Sequence, residues 1–139
     1  MLAKVESYGL NGLKGFPVMV EADIASGLPA YETVGLPDAA VKDSRERVRA
    51  AIRHSGMSFP TAHITVNLAP ADLKKEGSVY DLPIALAILM ASGQIASLPK
   101  GTLALGELAL DGTVRPVNGV LPMLIDAYEK GYIKLILEI

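Results

Sequence analysis

Apolar and polar residues alternate from Val18 to Ile24, as a half-buried strand requires, and Gly27-Leu-Pro29 then reads as a turn. Tyr31 to Val34 is expected as the hairpin partner of that strand. Ala3 to Tyr8 reads as the first strand, joined through the Gly12/Gly15 stretch, so three antiparallel strands should open the chain. A helix should then run from Pro37-Asp38 to Ser55, with Asp38 as its cap and Gly56 as its stop. At about 100° per residue, Ala40, Val41, Ser44, Val48, Ala51, Ile52 and Ser55 share one arc of it. Lys42, Arg45, Glu46, Arg49 and Arg53 share the adjoining arc, and Asp43 and Arg47 fall on the remaining exposed one, so the helix has a core face beside a mostly basic face.

Ala62 to Asn67 alternates again as a strand, and Ala69 to Ser78 reads as a polar loop. The helix from Asp81 to Ser92 is apolar nearly all round, through Ile84, Leu86, Ile88, Leu89 and Met90, so it belongs in the middle of the domain. Strands at Leu103–Leu110 and Thr113–Val117 flank Asp111-Gly112, a hairpin signal. A third helix is expected from Val120 to Lys130, and Ile133 to Ile139 reads as a last strand. The chain stops inside it, so a longer parent polypeptide is expected. These elements predict one α/β domain over residues 1–139, a mixed sheet with three main helices.

A chain that is 50% apolar can build one substantial core, and its lack of cysteine excludes a disulfide framework and any cysteine-based zinc site. The amino terminus carries charge where a secretory signal would be continuously apolar, so a cytoplasmic protein is expected. Leu82 to Pro99 is uncharged but broken by Pro83, Ser92, Gly93, Gln94 and Ser97, which reads as a buried helix and a loop, and no membrane contact is expected. The net charge of -2 is unevenly placed. Residues 42–75 hold seven basic against three acidic side chains, net +4, which leaves -6 for the rest.

No Gly-x-x-x-x-Gly-Lys-Ser/Thr loop is present, so nucleotide hydrolysis has no place in these residues and no cofactor is expected within them. His54 and His63 lack metal-ligand spacing and are assigned structural or surface roles, with no metal expected. The basic face could be a solvated surface, since Asp43 early and arginines later suit the helix dipole. It could also meet phosphates or carboxylates of a neighbouring subunit through its guanidinium forks. Lys42, Arg45, Arg49 and Arg53 are the candidate contacts, and Lys74 and Lys75 would extend the surface if their loop folds alongside. With 5% aromatic residues and no tryptophan, base stacking is expected to contribute little.

Four segments carry a family resemblance. They are Pro37-Asp-Ala-Ala-Val-Lys-Asp-Ser-Arg-Glu-Arg-Val-Arg-Ala-Ala51, Ile64-Thr-Val-Asn-Leu-Ala-Pro-Ala-Asp-Leu-Lys-Lys-Glu-Gly77, Asp81-Leu-Pro-Ile-Ala-Leu86 and Gly106-Glu-Leu-Ala-Leu-Asp-Gly-Thr-Val-Arg-Pro-Val117. Together they resemble the amino-terminal domain of magnesium-chelatase-like (ComM/YifB) proteins. The resemblance implies an AAA+ module downstream, with ATP and Mg bound there, neighbouring subunits in a hexamer, and a role in branch migration of DNA during transformation.

More remotely, Lys75 to Asp81 and Gly106 to Leu121 resemble the two catalytic segments of Lon-type serine-lysine proteases, which implies a Lon-like fold. Aligned on the shared glycines, Val79 stands at the nucleophile position and Leu121 at the lysine position. An isopropyl group cannot attack a carbonyl and an isobutyl group cannot take a proton, so the Ser-Lys dyad is read as absent. The alternative is a diverged peptidase using Ser78 with Lys74 or Lys75. Against it, both lysines are expected to be solvated and fully charged, and Ser78 to act as a turn or cap residue of the central helix.

Overall fold

A computed structural model describes residues 1–132 and, as backbone alone, residues 134–136. Strands β1 (Leu2–Asn11) and β2 (Lys14–Ala25) form an antiparallel hairpin in register from Leu2↔Asp23 to Asn11↔Lys14, turning at Gly12 with φ 65°. The expected hairpin partner of β2, β3 (Ala30–Val34), does not pair with it. Strand β4 (His63–Ala69) takes that edge, antiparallel to β2, and β3 lies outside β4, parallel to it. The alternation that runs unbroken through the seven residues of β4 gives it a complete buried face and the inner position. β3 is left at the edge and the opening is not a three-stranded antiparallel meander.

The connection between β3 and β4 carries two helices where one was expected: α1 (Ala39–Lys42) and α2 (Ser44–His54). Asp38 caps α1 as expected, its carboxylate accepting the Val41 N–H at 2.8 Å. The break at Asp43 has a visible partner in the Ala40 carbonyl, which accepts from the Arg47 guanidinium at 2.8 Å. The anticipated core face holds for Val41, Ser44, Val48, Ala51 and Ile52, while Ser55 is exposed beyond the helix end.

Helix α3 (Asp81–Ala91) is buried at every one of its 11 positions, as a helix without a polar face must be. No helix among the described residues is long and apolar enough to cross a membrane. The expected strand at Leu103–Leu110 is two pieces: β5 (Thr102–Ala104) joins the main sheet parallel to β1, and β6 (Glu107–Leu108) pairs with β7 (Val114–Arg115) in a separate ribbon. Gly106 divides them because its N–H and C=O both leave the strand, bonding Val79 and Leu82. The Asp111-Gly112 turn is present, with the Asp111 carboxylate accepting the Thr113 N–H at 2.9 Å. Helix α4 (Val120–Glu129) follows, and β8 (Lys134–Ile136) pairs parallel with β5. The remainder of the strand expected over Ile133–Ile139 lies outside the described residues.

The main sheet is thus six-stranded and mixed, in the order β3-β4-β2-β1-β5-β8. Tyr8 and Gly9, adjacent in β1, face opposite sides of it. The Tyr8 hydroxyl donates to Asp126 of α4 at 2.8 Å, whereas a Cβ on Gly9 would meet Tyr80 at the start of α3 and Phe16. One face carries α3 with α2 stacked on it, and the other carries α4.

Gly35 leaves β3 at φ 104°, and a Cβ there would meet the backbone of Leu68 in β4. Gly35→Ala combines a left-handed backbone with a backbone clash and should cost about 2–4 kcal/mol in urea denaturation; an unchanged midpoint would refute the close approach. The Lys130 ammonium, 2.5 Å away, and then the Tyr8 hydroxyl hold the Asp126 carboxyl below its ordinary 3.8. Its stabilisation is therefore present above pH 3.8 and lost as pH falls through the lowered folded value. Asp126→Asn should be less stable at neutral pH and show a flatter acid limb in a pH series of thermal melts.

Candidate functional site

The segment before α3 is fastened to the segment after β3. Pro37 and Lys75 form a parallel bridge, Asp38 N–H donates to the Lys75 carbonyl at 3.0 Å, and the Gly77 N–H donates to the Asp38 carboxylate at 3.2 Å. Lys75, expected to be solvated, is completely buried. Its ammonium donates to the carbonyls of Gly35, at 2.8 Å, and Pro70, and burial pushes its pKa down from the ordinary lysine value. A lysine can be buried here because two backbone carbonyls accept hydrogen bonds from its ammonium. Lys74 remains exposed, as expected.

Ser78 opens onto a cavity of about 450 Å³ whose walls include Asp38, Glu76, Glu107 and Asn118. Its hydroxyl donates to Glu107 at 2.5 Å, and the other Glu107 oxygen lies 3.7 Å from Arg115. Ser78 accepts the Asp81 N–H through its carbonyl, so it is a turn residue, but its side chain does not cap α3. Val79 is buried beside it, and Leu121 stands 69% exposed at the start of α4. Lys75 is directed at carbonyls and not at Ser78.

Arg47, expected on an exposed arc, turns inward instead. Its guanidinium grips Asp81 through two bonds of 2.6 and 3.0 Å, and the same carboxylate accepts the Leu108 N–H at 3.0 Å. Burial pushes the Asp81 carboxyl up, and the Arg47 fork and the Leu108 N–H act against that. The sequence held one signal for this pair: an aspartate beginning an all-apolar helix has to find a cation or a donor.

The basic candidates divide. Arg45, Arg49 and Arg53, at successive turns of α2, line one groove of about 200 Å³ whose opposite wall is β3 and the segment 59–62. Lys42, on α1, is exposed and outside the groove, as is Lys74, while Lys75 is removed from the surface altogether. Arg45 lies 3.8 Å from Glu46, and Arg49 and Arg53 make no ion pair among the described residues. Sequence reasoning missed the aromatic part of this groove: Tyr31 and Phe59 stack at 6.3 Å, and the Arg45 guanidinium carbon sits 5.7 Å from the Tyr31 ring centre. Their separation of 28 residues gave no local pattern to read. Among the described residues no group of three metal-ligating side chains occurs.

A model of the family described as subunit ChlI of Mg-chelatase matches residues 20–138. An uncharacterised protein of Mycobacterium tuberculosis is 50% identical over 132 residues, covering 94% of this chain and 26% of that protein. The uncharacterised protein YifB of Escherichia coli is 46% identical over 131 residues, with the same coverage. The competence protein ComM of Haemophilus influenzae is 45% identical over 127 residues, covering 91% of this chain and 25% of ComM. The chain thus spans about a quarter of the length of the curated relatives it matches.

The Asp81 carboxylate is 1% exposed and Arg47 24% exposed, so removing the guanidinium strands a buried charge. Arg47→Ala should cost about 3–5 kcal/mol by urea denaturation. Arg47→Lys should recover only part of this, because an ammonium cannot reproduce the two-pronged contact. Equal stability of Arg47→Ala and the unaltered protein would disprove the role given to the pair.

Proposed function

The chain belongs to the family of magnesium-chelatase subunit ChlI, and from that premise we propose that it is a non-catalytic interaction domain of a ComM-like AAA+ ATPase acting on DNA. In this reading it has a Lon-like fold whose Ser-Lys dyad is absent. ATP and Mg are handled by an AAA+ module, and the domain works against that module and the neighbouring subunits of a cytoplasmic hexamer. The name of the relative ComM, a competence protein, supports a task in DNA uptake or recombination.

The observation that carries the reading is the row of three arginines along one groove, with no carboxylate among the described residues that line it. Arg49 and Arg53, which make no ion pair among the described residues, and Arg45, whose only acidic neighbour among them is the exposed Glu46 at 3.8 Å, are suited to phosphodiesters, or to acidic groups on an adjoining subunit. The peptidase alternative finds no support: the Ser78 hydroxyl is engaged by Glu107 and the Lys75 ammonium by backbone carbonyls. A lysine whose ammonium is held in hydrogen bonds to backbone carbonyls, away from the hydroxyl, is not positioned to activate a serine.

Three phosphate contacts give a binding constant that falls with about the 2.7 power of salt concentration, weak for one domain and strengthened by repetition around a ring. Arg45, Arg49 and Arg53 should be replaced together by glutamate in the protein carrying its ATPase module, with DNA affinity and ATP turnover measured at several salt concentrations. The expected result is weaker DNA binding with a shallower salt slope and an intact ring. Unchanged affinity and slope would end the DNA reading, and dissociation of the ring would assign the arginines to subunit contacts.

A further inference from the structure

The arginine groove is also lined by two aromatic side chains. Tyr31 reaches it from β3, and Phe59 from the segment before β4, stacked on Tyr31 with an interplanar angle of 29°. Two of the seven aromatic side chains of the protein therefore line the same groove as three arginines. The segment bearing Phe59 is held in place by Gln94, whose side chain accepts the Ser58 N–H at 2.9 Å and donates to the Ser58 carbonyl at 2.8 Å. The Ala30 N–H bonds the Ala62 carbonyl at 3.2 Å, joining β3 to the segment 59–62. Arg45 is itself laid over the Tyr31 ring.

A double helix encloses its bases between two backbones and keeps their faces stacked on one another. It would meet the arginines from outside and leave the rings untouched. An unpaired nucleotide can place its phosphates on the guanidinium row and its base on an aromatic edge or on the flat face of Arg45. We propose that the groove between α2, β3 and the segment 59–62 is a single-stranded nucleic-acid site, in which Arg45, Arg49 and Arg53 hold phosphates and Phe59 with Tyr31 stacks a base. The inference rests on the nucleic-acid reading of the arginines and adds the strand state of the ligand and the stacking residues.

The test is fluorescence anisotropy with a labelled oligo(dT) and a labelled duplex of matched length, using the unaltered protein, Phe59→Leu, and Arg45, Arg49 and Arg53 all changed to alanine. The expected result is tighter binding of oligo(dT) than of duplex, with Phe59→Leu weakening oligo(dT) about 5- to 100-fold and leaving the duplex unchanged. Loss of both ligands in the arginine variant, with oligo(dT) untouched by Phe59→Leu, would overturn the stacking site and leave the phosphate reading standing. Insensitivity of both ligands to the arginine variant would overturn both. Phe59 also packs against the core, so photocrosslinking of the unaltered protein to bromodeoxyuridine-substituted single strands gives a readout free of folding effects. Adducts on Tyr31 or Phe59 are expected, and adducts that avoid both residues would refute the proposal.

Discussion

The ion pair between Arg47 and Asp81 is the constraint around which the helical face of this domain is arranged. Asp81 begins a helix buried throughout, so its carboxylate can ionise there only with partners on every side. Arg47 supplies a fork from α2 and Leu108 supplies a backbone N–H from the small ribbon. Three elements distant in sequence are thereby locked to one carboxylate. The same guanidinium takes the Ala40 carbonyl, next to the point where α1 gives way to α2. One side chain thus sets both the inner contact of α2 and the direction in which its outer face points.

That outer face gains its character from the fixed inner one. With Arg47 turned toward α3, Arg45 and Arg49 are directed across the helix toward β3, and Arg53 continues the row one turn later. The parallel crossover from β3 to β4 brings Tyr31 beside the same helix, and Gln94 anchors the segment that carries Phe59. The groove is therefore a product of topology. Had β3 paired with β2, Tyr31 would have had no reason to lie under Arg45.

A second fastening, between Lys75 and the turn after β3, shows how a charged residue becomes structural. Its ammonium satisfies carbonyls of Gly35 and Pro70, and Asp38 accepts N–H groups from Val41 and Gly77. The loop before α3 is pinned to the loop before α1, and the cavity holding Ser78 opens along that seam. A lysine next to Lys74 in a polar stretch looked solvated because burial of such a group depends on acceptors that the fold brings to it, one of them, the Gly35 carbonyl, from 40 residues away.

Local pattern determined much of this protein by itself. The alternation in β2 and β4, the all-apolar α3, the Asp38 cap and the Asp111-Gly112 turn were legible because each depends on neighbours within a few residues. The arginine row was legible too, since the period of a helix places residues four apart on one side. Tertiary structure decided the rest: that β4 enters between β2 and β3, that the strand after Leu103 divides at Gly106, that Arg47 and Lys75 turn inward while Arg45, Arg49 and Arg53 stay outside. It also decided that two aromatic rings meet in the groove those arginines line. A charged side chain reads the same in sequence whether it faces water or a buried carboxylate, and only the long-range partner, which the fold alone delivers, makes the buried position the more stable one.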